Sequence, residues 1–112
     1  MAKVIITSSL EEEINKRFKH ESIKIFSLLS TLIDNPHKGK AVGAVGKILI
    51  KEIKYGKYRF YFITDGYKLK FLKIEELCDL LIKFVRVSDK KDQQDVIEEI
   101  KIVLRNFGEG GF

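Results

Sequence analysis

The first third of the chain has the pattern of a strand followed by helix. Residues 3–7 are a β-branched run, which favours a strand. Ser9 and Glu12 have the spacing of a capping box, which predicts that a helix begins there. Apolar residues then recur at helical spacing as far as about Ile33. We therefore expect a short strand and a long helical region.

Two features predict that this helical region is divided. The polar stretch Lys19-His20-Glu21 interrupts the apolar stripe. An unbroken helix would span roughly 37 Å, whereas a compact domain of this size has a radius of gyration near ~13 Å. We therefore expect two helices folded as a hairpin, with the break near His20. Asn35-Pro36 ends the second helix, because the residue before a proline avoids helical geometry.

The middle of the chain predicts a meander of three antiparallel strands. Residues 37–46 contain three glycines and are expected to form a loop. Gly56 separates the first two strand candidates, and Asp65-Gly66, a strong hairpin signal, separates the second from the third. The three candidates are residues 47–55, 58–64 and 67–74.

The last third predicts a further strand and a closing helix. Residues 75–79 are expected to form a helical turn, and the apolar run 80–87 a strand. Ser88 or Asp89 would cap a helix whose strongly periodic apolar stripe packs on the sheet and which ends at Gly108, before a mobile tail. The predicted fold is one α+β domain over residues 1–112. It has an N-terminal strand and a helical hairpin packed on a twisted antiparallel sheet, and a closing C-terminal helix.

Composition excludes several classes of protein. A chain of 112 residues allows one domain with one modest core. No apolar run approaches the ~20 residues of a membrane helix, and the N-terminus lacks the pattern of a signal peptide. The single Cys78 cannot form an internal disulfide, and with only His20 and His37 a zinc centre is not expected. We expect a cytoplasmic protein with no metal or cofactor, in which Cys78 is a packed thiol.

The net charge of +5 is unevenly distributed along the chain. Residues 1–36 carry five basic and five acidic side chains, and residues 74–112 carry six basic and nine acidic ones. Residues 37–73 carry ten basic side chains against only Glu52 and Asp65, a net charge of +8. Such a block suits a polyanionic partner, although a solvated lysine-rich surface would give the same count.

Catalytic motifs of the familiar kinds are missing, which leaves basic and phenolic side chains as the candidates. Strand alternation places Arg59 and Tyr61 on one face of the sheet, opposite the apolar face of Phe60 and its neighbours. A face with arginine, lysine and tyrosine can hold a phosphodiester backbone, and RNA supplies its own 2′-hydroxyl nucleophile. The alternative is that these residues are outward side chains without a function.

Three stretches together resemble the RelE/ParE-type toxins of toxin–antitoxin systems, including the phage-derived HigB-like branch. They are Asn35 to Lys40 after a helical pair, Tyr58 to Phe62 in the sheet, and Phe84 to Lys91 before the closing helix. The resemblance implies a single RelE/ParE-like toxin domain held inactive by a cognate antitoxin. RelE-like members cut messenger RNA on the ribosome without a metal, whereas ParE-like members act against DNA gyrase.

The resemblance also implies roles for individual residues. Arg59 would contact the scissile phosphate, Arg86 would make a second phosphate contact, and Lys54 would assist as a base if its pKa were lowered. Several relatives place a tyrosine near the C-terminus in the site. No tyrosine follows Tyr67 here, so Tyr61 is the expected substitute. The lysines expected to bind RNA are Lys51, Lys57, Lys68, Lys70, Lys90 and Lys91.

The leading expectation is thus a metal-free, ribosome-dependent endoribonuclease with the ribosome, messenger RNA and an antitoxin as partners, and no membrane. Two alternatives remain open. One is a protein of the same fold that binds an antitoxin or nucleic acid without cleavage, and the other is a gyrase inhibitor. The residues make no prediction about a homo-oligomer. The ribonuclease expectation depends on cationic and phenolic groups meeting in one solvent-open hollow.

Overall fold

A computed structural model describes residues 1–112, which form a five-stranded mixed sheet with helices on both faces. The strand order is β1-β5-β4-β3-β2. β1 runs parallel to β5, and every other neighbouring pair is antiparallel. The strands are β1 (Lys3–Ile6), β2 (Lys40–Val45), β3 (Ile48–Tyr55), β4 (Tyr58–Asp65) and β5 (Leu81–Asp89).

The predicted helical pair is present and divides where the polar stretch predicts. α1 (Ser8–Phe18) and α2 (Ser22–Ser30) are separated by a 3-10 turn at Lys19–Glu21, which contains His20. Lys19 has φ +49°, and it is the one non-glycine residue with positive φ. Thr7 rather than Ser9 caps α1, because its side-chain oxygen accepts a hydrogen bond from the Leu10 N–H.

One face of the sheet packs against α1 and α2 in an apolar core. Phe60 and Phe62 from β4 and Phe84 from β5 are fully buried there, with aliphatic residues of both helices. The Phe62 and Phe84 rings lie 4.9 Å apart, centre to centre. The prediction that Phe60, Phe62 and the half-buried Tyr58 face the helical pair is therefore confirmed.

The other face packs against the closing helix α4 (Gln93–Phe107). Ile97, Ile100 and Leu104 of α4 are buried against Ile50 of β3 and Val85 of β5. Gly108 ends α4 with φ +66°, a value that favours glycine. The sheet therefore lies between the helical pair and α4. None of the helices has the length and apolar character that spanning a membrane requires.

The expected antiparallel meander differs from the structure in two places. Residues 37–46 are not simply a loop, because β2 forms within them as an edge strand. Glycine is needed at position 39, because the backbone there passes close to β3. Gly39 has φ +98°, and a Cβ there would lie 2.8 Å from the Glu52 carbonyl oxygen. The expected third strand, 67–74, is instead the short helix α3 (Gly66–Phe71) followed by a 3-10 turn. Asp65 caps this helix rather than forming a hairpin turn.

Three smaller expectations near the C-terminal end were also wrong. α4 begins at Gln93, because β5 continues to Asp89, whose carboxylate accepts a hydrogen bond from the Asp92 N–H. The tail is a 3-10 turn whose last residue, Phe112, packs on the core beneath α4. Cys78 is exposed rather than packed, since it lies in the turn before β5 and not in an apolar element.

Candidate functional site on the face beneath α4

Three neighbouring strands bring the four predicted catalytic residues to one face of the sheet. In the ladder between β3 and β4, Lys54 lies opposite Arg59. In the ladder between β4 and β5, Arg59 lies opposite Ser88 and Tyr61 lies opposite Arg86. The register shifts beside the Tyr61–Arg86 pair, leaving Val85 as an extra residue of β5. Alternation along the strands therefore places these cationic and phenolic groups together.

Tyr61, however, is fully buried rather than exposed to solvent. Its ring packs in the core beneath α4, and its hydroxyl lies 2.8 Å from the Ser88 Oγ. Burial raises the pKa of the Tyr61 hydroxyl above its ordinary value of 10.0, and the nearby Glu52 carboxylate adds to the rise. The phenol therefore stays protonated at neutral pH and does not reach a substrate. The expectation of a solvent-open phenol at Tyr61 is wrong, because α4 covers it.

Arg59 is also buried, and its partner is a carboxylate that the sequence reading did not assign to the site. Arg59 is 8% exposed and Glu52 is 2% exposed. The Arg59 Nε lies 3.5 Å from the Glu52 Oε2, yet neither atom has a hydrogen-bond partner. Gln93 at the start of α4 donates to the Glu52 Oε1 at 2.9 Å, and Arg59 donates to the Lys57 carbonyl at 3.1 Å.

The sequence contains a signal that predicts the pairing of Glu52 with Arg59. It is one of only two acids in the basic block, and it has the same strand parity as Lys54. A lone carboxylate on a strand beside Arg59 predicts a buried ion pair more directly than a free phosphate contact.

Arg86 is half-buried and held by α4 and the tail. Its Nε donates to the Glu99 carboxylate at 2.7 Å, and its guanidinium lies 5.1 Å from the centre of the Phe112 ring. A second nitrogen donates to the Val85 carbonyl at 2.8 Å. Arg86 is therefore partly accessible, but it must release Glu99 before it binds another anion.

The exposed cations nearest to this face lie at one end of the sheet, and one of them, Lys57, holds its amine 5.6 Å from the centre of the Tyr58 ring, which belongs to the opposite face. Lys54 is exposed in β3, and Lys57 is exposed in the turn between β3 and β4. Lys90 and Lys91 are exposed in the turn between β5 and α4, next to the Tyr58–Asp89 pair of the ladder. None of these four lysines has an ion-pair partner. We call this group the lysine end of the sheet: Lys54, Lys57, Lys90 and Lys91.

Three of the lysines expected to bind RNA lie elsewhere. Lys51 is buried on the opposite face, where its Nζ donates to the His37 carbonyl at 3.0 Å. Burial lowers the pKa of the Lys51 amine below its ordinary value of 10.5. Lys68 and Lys70 are exposed on α3, because residues 67–71 are helical and not a strand of the sheet. These three lysines therefore do not join Lys54 in one surface.

The arrangement supports anion binding more directly than acid–base chemistry. The lysine end presents mobile ammonium groups that suit phosphates, whereas the phenol and one guanidinium are enclosed. The predicted convergence of residues on one face is thus found for Lys54, Arg59, Tyr61 and Arg86. The predicted open hollow around them is not found.

Known proteins give no further assignment. Comparisons of the chain with protein-family models, with curated proteins and with solved structures find no significant match.

Proposed function

We propose that this protein is a RelE/ParE-type toxin that acts on messenger RNA at the ribosome and inhibits translation, and that a cognate antitoxin restrains it. The observation that carries the proposal is the meeting of Lys54, Arg59 and Arg86 on three adjacent strands, beside the unpaired lysines of the lysine end. Clustered cations without ion-pair partners suit the closely spaced phosphates of a nucleic acid.

In this proposal the RNA provides the nucleophile and the protein provides charge. Lys54 is the exposed cation nearest to Arg59, so it makes the first phosphate contact. Arg86 makes a second contact when its guanidinium exchanges Glu99 for a phosphate oxygen. Arg59 stays paired with Glu52 and contributes to the site as a positioning residue. Stabilisation of negative charge on the scissile phosphate then lowers the barrier to attack by the 2′-hydroxyl. The 2′ oxygen loses its proton to solvent as it bonds to phosphorus, and the bond from phosphorus to the 5′ oxygen breaks. The 5′ oxygen leaves as a hydroxyl after taking a proton from solvent, and a 2′,3′-cyclic phosphate remains.

Growth arrest on expression tests the proposal. We expect the wild-type protein to stop growth and translation, and the double variant Lys54→Ala with Arg86→Ala to relieve the arrest. Both side chains are at least partly exposed, so the variant should fold, and thermal unfolding checks this. The control variant Lys3→Ala with Lys24→Ala removes two exposed charges far along the chain from the site. Equal toxicity of the site and control variants would reject the site.

The burial of Tyr61 favours a second candidate, in which the protein binds RNA without cutting it. Primer extension on translated messages separates the two, because a binder leaves no new 5′ ends. In either case binding should weaken steeply with salt through release of counterions. Salt-insensitive binding, or DNA damage signalling with translation intact, would instead indicate a protein target such as gyrase.

A neighbouring gene offers an inexpensive check of the antitoxin. A short reading frame beside this gene that encodes a charged helical protein, and whose co-expression restores growth, would support the proposal. Growth arrest that no neighbouring gene relieves would count against the toxin–antitoxin pairing.

A further inference from the structure

A cavity of about 430 Å³ lies between the turn that joins β2 to β3 and the helix α3. It is on the side of the sheet that faces the helical pair, away from the candidate site. Its walls are mostly apolar, and its rim carries cations. The residues that line it include His37, Ala44, Lys47, Leu49, Tyr67 and Lys70.

Backbone contacts fix the wall that α3 contributes. The Gly66 N–H donates to the Lys47 carbonyl at 2.8 Å, so the start of α3 is tied to β3. A Cβ at Gly66 would lie 3.2 Å from the Leu49 Cβ, which shows how closely the two elements approach. Leu69, which also lines the cavity, anchors α3 in the core. The cavity is therefore already formed in the free protein.

Apolar surface continues beyond the cavity. Tyr67 is 63% exposed and Phe71 is 71% exposed, and their ring centres lie 6.3 Å apart. His37 also lines a neighbouring hollow with Ile74, which is exposed as well. The groove is thus longer than a small molecule needs, and large exposed apolar side chains gathered in one region indicate an interaction surface. We call it the α3 groove, with Tyr67, Phe71, Ile74 and the cavity as its members.

The net charge around the α3 groove is positive. Five exposed lysines lie in the segments that form it, and none has an ion-pair partner. Two exposed acids, Glu75 and Glu76, follow Ile74, and the Glu76 carboxylate accepts a hydrogen bond from the Lys73 N–H. Charge complementarity therefore calls for an anionic partner. The five lysines are Lys38, Lys47, Lys68, Lys70 and Lys73.

We propose that the α3 groove binds an acidic peptide segment of a protein partner. One large apolar side chain of that segment enters the cavity, and flanking carboxylates pair with Lys47 and Lys70. This is the helix-in-groove or extended-peptide mode of recognition, in which apolar anchors give affinity and charge gives specificity. The proposal does not depend on the RNA-directed function, because the groove contains no residue of the face beneath α4.

The geometry favours a peptide over single-stranded RNA. Bases stack on aromatic faces that lie open and parallel along a strand of nucleic acid. The Tyr67 and Phe71 rings are inclined at 72° to each other, and the Lys70 Nζ lies 5.3 Å from the centre of the Phe71 ring. The cavity walls supplied by Ala44, Leu49 and Leu69 are aliphatic and suit a leucine or phenylalanine side chain.

Peptide selection tests the proposal on the full chain. Immobilised wild-type protein is used to select from a random dodecapeptide library, with the variant Ala44→Trp as counter-selection. Ala44 is exposed on β2, so a tryptophan there fills the cavity without entering the core. We expect enriched peptides to combine a large apolar residue with neighbouring aspartate or glutamate. Peptides that bind Ala44→Trp equally well, or that lack acids, would overturn the proposal.

Anisotropy of a fluorescein-labelled selected peptide then gives the affinity. We expect Lys47→Glu with Lys70→Glu, and separately Ala44→Trp, to weaken binding at least about tenfold. The matched control Lys3→Glu with Lys24→Glu makes the same change in net charge and should keep the wild-type affinity. An equal loss of peptide affinity in the control would show that net charge alone weakens binding, and would overturn the proposal. Binding of a labelled dodecauridine that Ala44→Trp abolishes would show that the groove takes RNA, and would also overturn the proposal.

Discussion

The two faces of the sheet bury different kinds of side chain. The face toward α1 and α2 encloses Phe60, Phe62 and Phe84 among aliphatic side chains. The face toward α4 encloses an ion pair and a phenol as well as aliphatic residues. The one buried charged group of the first face, the Lys51 amine, donates to the His37 carbonyl, whereas on the second face two atoms of the Arg59–Glu52 pair are buried without a hydrogen-bond partner.

The difference shows where stability and function are separated. In a closely packed core of aromatic rings, replacing one side chain by another lowers the stability of the fold, because each ring fits its neighbours closely. A face with Glu52, Arg59 and Arg86 beneath one helix contains charges whose desolvation is only partly offset. Such buried charges are a weak source of stability, and in this chain they lie beside the lysine end of the sheet.

Phe60→Ala should have the largest effect, because it opens a cavity in the apolar face. Phe60 is fully buried and its ring lies 5.8 Å from that of Phe18. We expect a loss of about 3–5 kcal/mol in the free energy of unfolding, measured by urea titration. A loss below about 1 kcal/mol would mean that this face is not the stabilising one.

Glu52→Leu should have the next largest effect, because it leaves Arg59 as a buried charge without a counter-ion. We expect a loss of about 3 kcal/mol. Arg59→Met added to Glu52→Leu should restore most of the stability, since an apolar pair replaces a poorly bonded ion pair. If the double variant is no more stable than Glu52→Leu alone, the loss does not come from an uncompensated Arg59 charge and the contrast between the faces is weaker.

Tyr61→Phe should cost about 1 kcal/mol, the value of one buried hydrogen bond. The Ser88 hydroxyl keeps its bond to the Asp89 carbonyl, so no donor is left without a partner. The raised pKa of Tyr61 means that the folded state holds this proton more tightly than the unfolded state. Wild-type stability should therefore fall as the pH rises above about 10, and Tyr61→Phe should reduce that fall.

Lys51→Met should have the smallest effect at neutral pH and the opposite pH dependence. Burial lowers the pKa of Lys51, so the unfolded state binds more protons in the window just below 10.5. Stability should rise with pH in that window, and Lys51→Met should remove the rise. Urea midpoints between pH 8 and 10.5 measure both slopes. Parallel curves for the wild type and Lys51→Met would contradict this assignment.

Much of the fold followed from local pattern. The strands β3, β4 and β5 and the break at His20 have clear periodicity and turn residues, which depend on neighbours in sequence. β2 was missed because it contains Gly43 and is flanked by Gly39 and Gly46, a pattern typical of a loop, although Gly39 is required by its close approach to the Glu52 carbonyl. α3 was missed because Asp65-Gly66 fits both a hairpin turn and a helix cap.

The site was harder to predict than the fold. Strand parity correctly placed Arg59 and Tyr61 together and apart from Phe60. Parity says nothing about what covers a face, and the packing of α4 over Tyr61 depends on contacts between distant segments. The same limit applies to Arg86, whose partner Glu99 belongs to a later element.

The parallel pairing of β1 with β5 has a consequence for how the chain is made. β1 is synthesised first, yet its only neighbour in the sheet is the last strand. Until the ribosome has released β5, the first strand has nothing to dock against, and α1 and α2 lack much of the surface that they cover. A nascent chain that stops before Leu81 should therefore remain unfolded and open to proteases, so this domain is expected to acquire its structure only after β5 has been synthesised.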